Sequence, residues 1–405
     1  MKGVLIILDG CADEPCYALG DKTPLEAAKT PNLDVIAAKS KIDNCYTVKR
    51  GIIPNSLNGT LSLLGYSASE VARGAIEALG LGVKLKNGDF AFRCNFGTID
   101  NLDKKKVIDR RAARTLTTKE AKILAKAINN QVRLPFKFKF LSSIQHRAVL
   151  VIEGNFSKNI TDIEKDEKTE AVEFSKPLNN SESAELTAHA LNSFACQSFS
   201  ILNTHPINIK RIKRGLYPAN FILCRGASSG PVKLKKIRGK WLCLGYMPLE
   251  IGIGRATGMG IYSFTYPKLR DIDVYKVLYK GLQKAIKNAI RMLKKKKEKY
   301  DYFYIHFKEP DIPGHDNKPF DKVKMIEILD KEFFSFIRKF IGNSKLVITC
   351  DHTTSCRKKS HSELPVPVLI YPQKEESKKR FTENQSLQGK CWLGKKLLEA
   401  ELFRK

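Results

Sequence analysis

Three short segments place acid or imidazole groups directly after an apolar run. The first is LIILDG, which ends on Asp9 and Gly10. The second is IHFKEPDIPGHD, with Asp311 and His315, and the third is LVITCDHTT, with Asp351 and His352. His361 follows on a short polar loop. The apolar runs read as buried strands. In parallel α/β sheets, ligands collect beyond the carboxyl ends of strands, so all three segments put their polar groups at that edge. Pro313 and Gly314 lie between Asp311 and His315 and predict a turn there rather than a helix. A turn still aims both side chains at one ion. Asp351 and His352 are adjacent, and in a continuing strand they would point opposite ways. At a strand end the backbone rotates, and each can serve a different ion. Carboxylates mixed with imidazoles suit zinc or manganese better than calcium. One such Asp alone reads as a turn cap. Taken together with one serine oxygen, the set is enough for two ions, an arrangement that stabilises both oxygens of an in-line phosphoryl displacement.

The serine is Ser56, in the stretch IIPNSLNGTLSLLGY. Leu57, Leu61 and Leu64 recur at helical spacing, so the pattern predicts a helix starting just after Ser56. A serine there is an ordinary N-cap. The same position faces free N–H groups and a positive dipole end, a good place to carry a phosphate. The stretch alone leaves both readings open.

The elements that must position these groups alternate along the chain. Strands are expected at 4–8, 91–98, 147–152, 220–224, 302–307 and 345–350, with a further apolar run opening at Trp241. Helices are expected at 30–39, 120–131, 184–194 and, amphipathic, 274–293. Such alternation predicts an α/β fold with a largely parallel sheet. The polar segment 157–183 has no period and reads as a long surface excursion. GIGRATG at 252–258 lacks the dinucleotide-binding spacing and reads as a turn or close packing. A chain of 405 residues, 42% apolar, can bury a large core and suggests two or three domains. No apolar run approaches the roughly 20 residues of a membrane span, and the N-terminal run, ending at Asp9, is not a signal peptide. Ten scattered cysteines without a C-x-x-C pair predict reduced thiols in a cytoplasm. The formal charge of +29 reads mainly as a lysine-rich solvated surface, and it favours a small anionic substrate. No RNA-binding motif with interleaved aromatics accompanies it, so nucleic acid is not the expected partner.

Further motifs join the three segments: GDKTPLEAAKTPNL (20–33), RGAIEALG (73–80), FRCNF (92–96), DRRAAR (109–114), Arg225-Gly226 and HSELPVP (361–367). With them the chain resembles the archaeal-type, cofactor-independent phosphoglycerate mutases of the alkaline phosphatase superfamily, from residue 1 to about Tyr371 and in the family's order. The resemblance implies an alkaline-phosphatase-like core split into 1–83 and 236–405, with a smaller α/β domain inserted at 84–235 that clamps substrate. It implies that Asp9, Ser56, Asp351 and His352 hold one divalent ion and Asp311, His315 and His361 the other. The metals would be manganese or zinc, with magnesium possible, and no 2,3-bisphosphoglycerate would be needed. It makes Ser56 the nucleophile of a phosphoserine cycle interconverting 3- and 2-phosphoglycerate. Arg73, Arg93, Arg110, Arg111 and Arg225 sit in family-like motifs and are the expected substrate clamp, since the guanidinium fork is bidentate toward phosphate and carboxylate. Lys308, just before Asp311, is expected at the phosphate. Leu57 and Thr60 stand where the family usually has polar residues, and the family's D-x-D-P-like turn is altered at 161–166. A phosphatase or another phosphotransferase on the same scaffold, or a catalytically weakened metal-binding relative, are the alternatives.

Overall fold

The apolar runs at both ends of the chain become neighbours. A computed structural model describes residues 1–67, 69, 71–164, 170–268, 273–376 and 378–403. In chain order the strands begin with β1 (Gly3–Leu8), β2 (Lys41–Tyr46), β3 (Phe90–Ile99), β4 (Val107–Asp109), β5 (Phe138–Ser142), β6 (Arg147–Ile152) and β7 (Phe221–Ser229). They continue with β8 (Trp241–Leu244), β9 (Gly260–Tyr262), β10 (Tyr302–Phe307), β11 (Lys345–Thr349), β12 (Thr353–Ser355), β13 (Ser360–Ser362), β14 (Val366–Tyr371) and β15 (Cys391–Leu393).

An eight-stranded sheet runs β15-β2-β14-β11-β1-β10-β8-β9. Its central strands β11, β1, β10, β8 and β9 are all parallel, and β14 alone runs against its neighbours. Every residue of β1 and of β10 is buried. Strands covered on both faces in this way read as unbroken apolar runs rather than as an alternation. The helix Val274–Lys296 packs on this sheet through Leu282, Ile286, Ala289 and Leu293.

Strands β3 to β7 form a second, antiparallel sheet in which β3 pairs with β4, β6 and β7. The helices Thr118–Gln131 and Glu182–Asn203 cover it, burying Leu124, Ile128, Leu191 and Phe194 against Phe92, Phe96 and Phe140. The second of these helices outruns the expected 184–194 because Phe199 and Leu202 continue its buried face. The segment read as a surface excursion is more than that. Ile160, Ile163 and Val172 join the second core, and Glu164 is buried. The GIGRATG stretch is close packing plus a turn: Gly252 lies in the helix Pro248–Ala256, and a Cβ there would sit 2.0 Å from the Ile76 carbonyl oxygen. Gly258, with φ +77°, turns the chain after it. All ten thiols are free, and no helix among the described residues is long and apolar enough to cross a membrane.

Candidate active site

The sheet register assembles the polar groups. Leu8 pairs with Phe307 and Ile7 with Thr349, so Asp9, Lys308 and Asp351 emerge together from three adjacent parallel strands. Ligand atoms of Asp9, Asp351 and His352 lie within 4.8 Å of one another, and so do those of Asp311, His352 and His361. His352 Nε2 is 3.3 Å from Asp9 Oδ1 and 3.5 Å from Asp351 Oδ2. Asp311 is 3.5 Å from His315 Nε2 through Oδ2 and 3.8 Å from His361 Nε2 through Oδ1. His352 therefore stands between two clusters rather than belonging to one.

Asp311–His315 is a five-residue helix, not the expected turn. Pro313 falls in its first turn, where a missing N–H leaves no helical bond unmade. Gly314 serves packing: a Cβ there would meet Thr354 at 2.6 Å. The hairpin β12–β13 places His361 opposite Thr354 and returns it to the site.

Hydrogen bonds set the histidine tautomers. His361 Nδ1 is 2.9 Å from the Pro54 carbonyl and His315 Nδ1 is 3.2 Å from the Lys359 carbonyl. A carbonyl only accepts, so Nδ1 carries the proton and Nε2 presents a lone pair. The Thr354 hydroxyl donates to Asp311 Oδ1 at 2.7 Å, so it accepts from His352 Nδ1 at 2.9 Å, with the same result. Burial, followed by the neighbouring His352, pushes His361 down to about 3. Burial alone would raise the Asp311 carboxyl, but His315, His352 and His361 together hold it well below the usual range.

A divalent ion fits these groups. Asp9 Oδ1 and Asp351 Oδ2 are buried and accept no hydrogen bond among the described residues. Buried anionic oxygens left so are costly unless a cation faces them. Asp9 Oδ2 is taken by Lys308 Nζ and, at 3.0 Å, by His306 Nε2.

Ser56 opens the helix Ser56–Leu63 but does not cap it. Asn55 is the cap: its side chain accepts from the N–H groups of Leu57 and Asn58 at 2.9 and 3.1 Å, and Asn58 reaches back to the Asn55 N–H at 2.7 Å. Two of the free N–H groups expected to face a phosphate are thus already used. The Ser56 hydroxyl lies 3.2 Å from His352 Nε2 instead. Gly59 allows this approach, because a Cβ there would fall 2.2 Å from the Asp351 carbonyl oxygen. Leu57 packs into the main core and Thr60 is fully buried.

In front of the clusters lies a cavity of about 660 Å³. Ser56, Arg73, Arg93, Arg111, Arg225 and Lys308 all line it. Arg110 does not: it faces a neighbouring pocket, with Nη2 2.6 Å from Glu164. Buried Glu77 lies 2.6 Å from Arg73 and 3.6 Å from Arg93, and Glu164 lies 3.3 Å from Arg225. Of the altered turn, Asp162 lines the cavity and accepts from the Gly226 N–H at 3.1 Å, while Lys165 and Asp166 lie outside the described residues.

Sequence reasoning missed several residues here. Arg114 and Arg147 also enter the cavity. Glu250 and His306 form a further close group with Asp9, and Glu309 is buried behind Lys308, accepting from Tyr246 and Tyr266 at 2.6 and 2.9 Å. Burial lifts the Glu250 carboxyl to about 7. The one available signal for His306 was a lone imidazole within the run YFYIHF.

Comparison with known proteins identifies the family. A family described as 2,3-bisphosphoglycerate-independent phosphoglycerate mutase matches residues 37–208, and the metalloenzyme superfamily matches residues 271–390. A protein of Methanosphaera stadtmanae named 2,3-bisphosphoglycerate-independent phosphoglycerate mutase is 38% identical over 380 residues, covering 91% of this chain and 88% of its own. A Thermococcus gammatolerans protein of the same name is 37% identical over 405 residues, covering 96% and 93%. This chain belongs to the 2,3-bisphosphoglycerate-independent phosphoglycerate mutase family. Among solved structures, a Pyrococcus horikoshii protein superposes with a TM-score of 0.75 at 28% identity, over 99% of this chain and 96% of the other. The cofactor-independent phosphoglycerate mutase of Thermoplasma acidophilum gives 0.55 at 26% identity, over 100% and 99%. The match to the metalloenzyme superfamily implies divalent-metal binding, and the matched span contains Asp311, His315, Asp351, His352 and His361.

Proposed function

We propose that the chain is a metal-dependent isomerase that interconverts 3-phosphoglycerate and 2-phosphoglycerate through phosphoserine at Ser56. The observation that carries the reading is the Ser56 hydroxyl, released from capping by Asn55 and held 3.2 Å from His352 between the two clusters. Asp9, Ser56, Asp351 and His352 would hold one ion, and Asp311, His315 and His361 the other, with His352 at the border of both. When bound, manganese or zinc lowers the pKa of the serine hydroxyl and neutralises phosphate charge.

The chain's own residues do the rest. Ser56 Oγ attacks phosphorus in line, the P–O bond to glycerate breaks, the proton given up by the serine hydroxyl ends on the departing glycerate hydroxyl, and the phosphoryl group rests on the serine. Glycerate re-orients, and its other hydroxyl takes the phosphoryl group back. Arg73 and Lys308 from the core, and Arg93, Arg111 and Arg225 from 84–235, bind phosphate and carboxylate. The segment 84–235 clamps the substrate over Ser56 and excludes water, which separates a mutase from a phosphatase. Free thiols support a reducing cytoplasm as its place of work.

The test is a product assay with 3-phosphoglycerate as sole substrate. The expected product is 2-phosphoglycerate without stoichiometric release of inorganic phosphate. Free phosphate as the main product would make the chain a phosphatase, and no product would leave a binding relative.

A further inference from the structure

Ala112, Ala113 and Arg114 are consecutive residues in the left-handed region, with φ of +45°, +52° and +56°. Residues with a Cβ avoid this conformation, and a run of them persists only where neighbours impose it. Two groups impose it here. Asp109 Oδ1 accepts from the N–H groups of Arg111 and Ala113, each at 2.7 Å. The other group is Arg211, on the helix Pro206–Lys213, which is only 1% exposed. Its Nη2 donates to Thr115 Oγ1 at 2.7 Å and to the Ala112 carbonyl at 3.4 Å, and its Nη1 donates to the Thr115 carbonyl at 3.2 Å. Nε donates to the Tyr217 carbonyl at 2.9 Å, and Glu120 lies 3.5 Å from Nη1. A buried guanidinium is thus spent largely on one turn.

The turn decides where three arginines point. Arg110 goes to Glu164 and the neighbouring pocket, while Arg111 and Arg114 line both that pocket and the Ser56 cavity. Arg114 Nη1 also donates to Asp316 Oδ1 at 2.6 Å, and the Tyr275 hydroxyl donates to the same carboxylate at 2.9 Å. Asp316 directly follows His315, so this turn reaches across to the segment that carries the Asp311 cluster. A right-handed backbone at 112–114 would turn Arg114 away from both.

We propose that Arg211 is a positioning residue: it never touches substrate, but it holds the left-handed turn that aims Arg111 and Arg114 at the substrate's anionic groups. This rests on the mutase reading above. Of those anionic groups the carboxylate does not react, and arginines aimed at it bind ground state and transition state alike, so the effect belongs in KM rather than kcat.

The experiment uses the full-length, metal-loaded enzyme. Steady-state kinetics on 3-phosphoglycerate are combined with calorimetric binding of 3-phosphoglycerate and with thermal unfolding. Arg211→Met is expected to raise KM and Kd about tenfold while kcat moves less than about threefold. Ala113→Val, at an exposed position, should do the same without disturbing any buried group, since a β-branched residue resists positive φ. Adding Ala113→Gly to Arg211→Met should recover most of the loss, because glycine takes the left-handed form freely. Unchanged KM and Kd in a folded Arg211→Met protein would overturn the proposal. So would a loss that glycine does not rescue. If Arg211→Met does not fold, Ala113→Val decides: wild-type affinity refutes the role of the turn. Failure of the mutase reading appears separately, as wild-type enzyme that makes no 2-phosphoglycerate. The calorimetric Kd still reads the turn in that case.

Discussion

Gly59→Ala sets two effects of opposite sign against each other. Gly59 lies inside the helix Ser56–Leu63, and alanine is favoured over glycine there by about 1 kcal/mol. If helix propensity were the whole story, the variant would gain stability. The new Cβ, however, would lie 2.2 Å from the Asp351 carbonyl oxygen. Carbon–oxygen contacts settle at roughly 3.3 Å or beyond, so the helix must retreat by roughly 1 Å. Overpacking of this kind costs about 1–3 kcal/mol, which outweighs or cancels the propensity gain. The retreat also carries Ser56, less than one turn away, off its 3.2 Å approach to His352. A misplacement of about 1 Å can cost roughly a hundredfold in rate. The expected result is a kcat on 3-phosphoglycerate about a hundredfold lower, with a melting temperature equal to or slightly below wild type. Rapid-quench trapping should show phosphoserine forming slowly. A kcat within about threefold of wild type, together with a raised melting temperature, would refute this account of the helix contact.

The division of labour between neighbours at 55 and 56 is testable by a pair of variants. Ser56→Ala should abolish phosphoserine and turnover while leaving unfolding in urea unchanged, whereas Asn55→Ala should lower stability by about 1 kcal/mol; equal destabilisation by both would return the cap to Ser56. Removing divalent metal should abolish activity and also lower the melting temperature, because Asp9 and Asp351 keep buried oxygens that accept no hydrogen bond from the described residues. Full activity in protein shown metal-free by elemental analysis would contradict this. Glu383 gives a pH prediction away from the site. Burial, opposed by hydrogen bonds from Thr23 and the Asp13 N–H, raises its carboxyl from 4.5 to about 7. An acid whose folded pKa is raised binds its proton more tightly when folded, so the stability it lends below about pH 4.5 is lost as pH climbs to about 7, at most about 3 kcal/mol. Glu383→Gln should flatten that part of the stability profile, and an unchanged slope would count against the assignment.

Asp9 and Asp351 were legible because each stands at the first polar position after an apolar run, where a parallel sheet must end, and Asp311 lies three residues beyond such a position, whereas His361 sits on a separate polar loop. The gathering of those runs onto adjacent strands was not legible, since register depends on pairing across hundreds of residues. Asn55 was overlooked for a local reason. The apolar spacing starts at Leu57, which made Ser56 look like the flanking residue, although Asn55 and Asn58 together already form a reciprocal cap. Glu250 and His306 were hidden by burial itself, as an imidazole inside YFYIHF looks like core until its neighbour Asp9 is known. Ile163 and Glu164 escaped because an irregular segment has no period to reveal which of its residues turn inward. Leu57 and Thr60 looked like damage to the site. Both are buried, and Leu57 belongs to the core that supports the helix. The departure at Leu57 is therefore a packing choice beneath Ser56.

The central place of β1 has a consequence for how the chain is made. Gly3 pairs with Tyr302 on one side and with Lys345 on the other. During synthesis the first apolar segment leaves the ribosome with neither neighbour in existence. At about 5–20 residues per second, the missing strands take roughly 15 to 70 s to arrive. Strands β3 to β7 bring their own partners and helices within 90–229, so that part can close while the first segment still waits. A chaperone-binding profile of nascent chains should therefore fall in two steps, one near the completion of β7 and a later one only after β11 has emerged.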